Sequence, residues 1–125
     1  MLENFRDFQA GPDPFGRTWR VYFRWLQTGI SIRHADTVDV KFAIGTQGEP
    51  LEERVIALPH PALLAASAKL GHPLTDTWCL KLAALHLQHM LESGEDMEKT
   101  LATMSEDEIE QHARELADSL AAATK

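Results

Sequence analysis

Cys79, His86 and His89 fall in one short stretch, TDTWCLKLAALHLQHML, Thr75–Leu91. These residue types ligate metals or act as nucleophile and base. The stretch holds the only cysteine, one of three tryptophans (Trp78) and two of six histidines. Stepped at about 100° per residue, a helix here sets Cys79 and His86 amid the apolar face with Leu82 and Met90, and His89 toward its edge. Cys79 and His86 are then about 10.5 Å apart along the axis, a poor chelate for an ion whose ligands sit at about 2.0–2.3 Å. The same offset removes His86 as a direct base for a Cys79 thiolate.

His86 and His89 make a better pair. Three residues apart on a helix, their Cβ atoms are roughly 5–6 Å from one another. A shared ion would need one or two more ligands, for which His60, His72 and His112 are available. However, Leu87 and Gln88 stand between the two histidines, so there is no H-E-x-x-H pattern. Paired C-x-x-C, Glu-x-x-His, G-x-S-x-G and phosphate-cradling glycine motifs are also absent. The reading with most weight is packing, with Cys79 as a small apolar residue and His86 as a core or interface histidine. No cofactor is called for. His86, His89, Cys79 and Trp78 stand as the candidate ligand or metal site, with Trp19 and Phe23 as further lining of a pocket between sheet and helix.

The elements that would position these residues follow from the periodicity. Trp19, Val21, Phe23 and Trp25 alternate with Thr18, Arg20, Tyr22 and Arg24, which predicts a strand with one apolar face. After the turn signal at 27–29, residues 30–44 read as a strand interrupted at 34–36, with Val38, Val40, Phe42 and Ile44 on one side. LEERVIALP reads as a third strand ended by Pro59. It is apolar on both sides, so it is either central or covered by a partner. Beyond Pro59 the period becomes helical. A helix stops at Gly71, the long helix over 75–93 stops at Gly94, and EDMEKTLATM reads as a short third helix. A fourth begins at Ser105, where SEDE forms a capping box. Strands first and helices second predict an α+β fold: an antiparallel meander of three to four strands packed against three to four C-terminal helices. The expected division is an aromatic arm over 1–16, an α+β core over 17–93 and a C-terminal helical appendage over 94–125, packing on the core or on a partner subunit.

The bulk numbers bound the function. A chain of 125 residues with 44% hydrophobic and 25% charged residues can fold around one core. Its net charge of −7 argues against general nucleic-acid binding and against anionic membranes. Arg20, Arg24 and Lys41 around Tyr22, joined by Arg54 if it faces outward, could still form a local cationic strand face. A lone cysteine forms no internal disulfide. Residues 1–16 lack the basic start and apolar run of a signal peptide, and no stretch approaches the roughly 20 apolar residues of a membrane span. The expected location is therefore cytoplasmic. On the last helix Ile109, Ala113, Leu116, Ala117 and Leu120 form a narrow stripe that packs on one neighbour, either the long helix or a second copy. Ile109, Ala113, Leu116 and Leu120, together with Trp25, are the candidate interface. The functional expectation is a non-catalytic interaction or self-associating module, most simply a homodimer. The alternative is a small-ligand or metal-binding protein.

Overall fold

A computed structural model describes residues 2, 4–29 and 36–123. Among them run β1 (Asp7–Ala10), β2 (Trp19–Gly29), β3 (Thr37–Thr46), β4 (Glu52–Pro59), α1 (His60–Leu70), α2 (Asp76–Ser93), β5 (Leu101–Thr103) and α3 (Glu106–Ala123). The sheet order is β1-β2-β3-β4-β5. The first four strands are an antiparallel meander, and β5 joins β4 in parallel. The fold is α+β with five strands and three helices. The strand predicted over residues 30–35 lies outside the described residues.

One expectation at the edge of the sheet is corrected. Residues 95–104 form a turn and a strand, not a third helix. Gly94 closes α2 in the left-handed region at φ 77°, and Asp96 turns the chain again at φ 56°. The Val55 amide then donates to Thr100 O at 2.8 Å, and the Met104 amide to Ala57 O at 2.9 Å. A ten-residue helix is marginal alone, and the open edge of β4 offers these backbone groups partners. Residues of the arm add a strand at the other edge of the sheet: Phe8 pairs with Val21 across β1 and β2.

Alternation along β2 holds only as far as Phe23. There the register with β3 shifts, from Phe23↔Phe42 to Trp25↔Lys41, so Arg24 is the extra residue of a bulge. Leu26 therefore faces inward opposite Val40, and Trp25 turns to the other face. Val21, Val40, Phe42, Ile44, Ile56 and Leu58 are fully buried on the inner face. At about 1.5–3 kcal/mol for each large side chain, this layer is a main source of stability. Arg54 belongs to the inner row opposite Phe42, not to the cationic face. It donates to Met97 O at 2.8 Å and so ties the 94–100 turn to the sheet.

α2 lies in the middle of the helical layer. The Thr75 hydroxyl caps it, accepting from the Trp78 amide at 3.2 Å. Leu82, Ala83, Ala84, Leu87 and Leu91 are all fully buried. A helix covered on more than one side reads as apolar most of the way round, and here the sheet covers one side of α2 while α3 packs on another. α3 starts with the predicted capping box: the Ser105 amide donates to Glu108 Oε1 at 2.9 Å, and the Glu108 amide donates to Ser105 Oγ at 3.1 Å.

Candidate functional site

The residues singled out on α2 separate in space. Cys79 is 2% exposed. Burial, reinforced by the Asp76 charge, pushes its thiol up to about 11, so it is a protonated packing group at neutral pH. His89 is exposed and faces Glu95 at 3.6 Å. His86 is buried, but it points at α3 and not at the sheet, and its ring meets His112 edge-on with centroids 5.5 Å apart. Each imidazole has a carboxylate nearby: Glu108 lies 3.6 Å from His86 Nδ1, and Glu115 lies 3.5 Å from His112 Nδ1. Neither Nδ1 makes a hydrogen bond. Burial drives both histidines below their ordinary pKa and outweighs the carboxylates, which act in the opposite sense. Among the described residues no group of three or more His, Cys, Asp or Glu is placed to hold a metal ion. His112 was legible to a degree, because it sits three residues after Ile109 within the apolar stripe of α3.

Trp78 has a different setting. Its ring stacks on His72 at 5.0 Å and 16°. The His72 Nδ1 lies 2.8 Å from Pro73 O, to which only an N–H can donate. Trp78 and His72 form part of a groove of about 590 Å³, with Leu2 and Phe5 of the arm, Lys81 of α2 and Leu116 and Ala117 of α3. Trp19 and Phe23 are not part of it. They pack against the core from the sheet.

The candidate interface residues also divide. Ile109, Ala113 and Leu116 are buried within the chain, on the helix that packs against α1 and α2. The side chain of Leu120 lies outside the described residues. Of the described members, Trp25 alone is exposed, on the outer face of the sheet. The outer row Trp25–Lys41–Val55–Leu101 crosses four strands. Tyr22 and Ala43 occupy the next row toward the hairpin. Tyr22, Trp25, Leu51 and Leu101 are all exposed large apolar residues. Two shallow depressions of about 340 and 390 Å³ share Leu51, one beside Trp25 and the other beside Tyr22. The charges between them are mixed. Arg20 pairs with Asp7 at 2.7 Å, Lys41 pairs with Glu53, and Lys41 Nζ stands 5.2 Å from the Trp25 ring centre. Arg24 at the bulge and Asp39, opposite Gln27 on the same face, form no ion pair among the described residues.

One buried carboxylate gave no sign in the sequence beyond its loop composition. Asp13 accepts from the Phe15 and Arg17 amides at 2.9 Å, Arg17 Nε at 2.8 Å and Trp19 Nε1 at 3.0 Å. Burial would raise this carboxyl, but the donors, led by the Arg17 amide, hold it down at about 2. It is the brace of the loop between β1 and β2. Its lone pairs are spent on that loop.

Comparison with family models, with curated proteins and with solved structures finds no match for this chain. No helix among the described residues is long and apolar enough to cross a membrane.

Proposed function

We propose that the protein is a non-catalytic, self-associating module that docks through the outer face of its sheet. The observation that carries this reading is the set of exposed apolar side chains on the outer face across β2–β5. α1 and α2 pack on the opposite face and α3 packs on them, yet this face carries Tyr22, Trp25, Leu51 and Leu101. Clustered exposed apolar side chains rimmed by polar groups favour an interface, and aromatic residues are the usual anchors.

The charges favour a second copy as the occupant. In a two-fold interface residue i meets residue j and j meets i. Arg24 and Asp39 are opposite in sign, lie on the same face and form no ion pair among the described residues, Asp39 accepting only from the Thr37 hydroxyl at 2.9 Å. A two-fold axis through the patch would bring the Arg24 of each copy toward the Asp39 of the other. The paired Arg20–Asp7 and Lys41–Glu53 leave little net positive field for a phosphate backbone. In this reading the module works in the cytoplasm, where its lone buried thiol needs no disulfide partner.

Sedimentation equilibrium over a dilution series tests the proposal. The expected result is a reversible dimer whose dissociation constant rises at least tenfold in the Trp25→Ser/Leu51→Ser variant, with the melting temperature little changed because both positions are exposed. A wild-type chain that stays monomeric at high concentration contradicts the proposal, as does a dimer indifferent to these substitutions.

A further inference from the structure

The groove between the arm and the helices lies on the far side of the molecule from the sheet's outer face and carries an independent inference. Its walls are mostly apolar, with the Phe5 ring on the arm side and the Trp78 ring on the α2 side. Its volume of about 590 Å³ falls in the range of small-molecule sites. The chain has 19 acidic residues and a net charge of −7, yet among the described residues no carboxylate lines this groove.

Lys81 does line it, with Nζ 5.5 Å from the Phe5 ring centre. Lys41, Lys69 and Lys99 are each held by a carboxylate. Lys81 forms no ion pair among the described residues. A half-buried lysine on an aromatic face, with no counter-ion among the described residues, is complementary to an anion. Thr75 and Thr77 set the first turn of α2 on the same wall, so the positive end of the helix dipole lies nearby. Asp76, in that turn, is not among the lining residues.

We propose that the groove binds a small amphipathic carboxylate. The apolar body lies between Phe5 and Trp78, and the carboxylate accepts from the Lys81 ammonium. The required ligand has a single anionic head and an unbranched or aryl body. A zwitterion or a polyanion would leave charge against the apolar walls.

Calorimetric titration with decanoate, decanol and decylammonium, each below its micelle-forming concentration, tests this. Decanoate is expected to bind one per chain and at least about tenfold more tightly than decanol, one charge-assisted contact in a partly screened site. Decylammonium is expected to bind more weakly still. Lys81→Met should bring decanoate to the level of decanol while leaving decanol unchanged, a readout that loss of fold would not produce. Ala117→Trp, at an exposed position on the groove wall, should block decanoate in a chain whose circular dichroism is native. Trp25→Ser should leave binding untouched. Equal affinity for the three probes, no binding by any of them, or decanoate binding unaffected by Lys81→Met would overturn the proposal.

Discussion

Acidification should loosen the seam between α2 and α3. His86 and His112 are 4% and 6% exposed and both are held below their ordinary value of 6.5 by burial. In the unfolded chain they bind protons near 6.5; in the folded chain they bind them only at lower pH. The stability they confer is therefore fully present above 6.5 and is lost as pH falls below it toward their folded values. Each histidine removes at most about 1.4 kcal/mol per pH unit in that window. Two of them give a ceiling of about 3 kcal/mol between about pH 6.5 and pH 5.5. Glu108 and Glu115 attract the protonated rings and reduce that figure, while His89 opposes protonation of both. Asp96 favours the charged form of His86. Glu108 is itself held below 4.5, so its contribution is lost only at lower pH and does not blur the window. Urea denaturation at about pH 7.5 and about pH 5.5 measures the effect, a sizeable fraction of the 5–15 kcal/mol typical of a domain. The His86→Leu/His112→Leu variant should show a much flatter acid limb. At pH 7.5 it should be no less stable, because it removes two buried nitrogens that lack partners. A wild-type midpoint that does not move, or a double variant that loses as much as wild type, would show that the two histidines do not set the acid limb.

Three further outcomes follow from packing and hydrogen bonding. Cys79 should resist an aromatic disulfide reagent at mildly alkaline pH and react fully once the chain is denatured; fast reaction in the folded state would contradict its burial. Ser105→Ala should cost about 1 kcal/mol in urea denaturation, the usual worth of a cap, and Glu108→Ala should cost no more than a similar amount. Asp13→Ala strips the acceptor from four donors. It should speed proteolytic cleavage between β1 and β2 and shift Trp19 emission to the red, with Asp13→Asn intermediate.

Local chemistry made much of the fold legible. The alternation from Val38 to Ile44, the glycine stops at 71 and 94 and the capping box at Ser105 each depend on neighbours a few residues away. Elements set by distant partners were not legible. β5 exists because β4 has an open edge, and its own three residues carry no such signal. The bulge at Arg24 depends on where β3 places Phe42 and Lys41, so the face of Trp25 could not be read from alternation alone. The two-sided strand LEERVIALP proved to be interior, between β3 and β5. The groove was hidden for the same reason: Phe5, the His72–Trp78 stretch and Ala117 are far apart in sequence and meet only when the arm and α3 close over α2. Cys79 and His86 fell on a buried side as the helical spacing implied, but that helix is buried most of the way round, and spacing could not say which neighbour His86 would face.

The three tryptophans stand at three separate places: Trp25 on the outer sheet face, Trp78 in the groove and Trp19 beside Asp13. Fluorine NMR of the fluorotryptophan-labelled chain across a dilution series therefore reads association face by face. Raising the concentration should shift and broaden the Trp25 signal, while Trp19 and Trp78 stay fixed. A concentration-dependent Trp78 signal with an unchanged Trp25, or three signals indifferent to concentration, would contradict docking through the sheet.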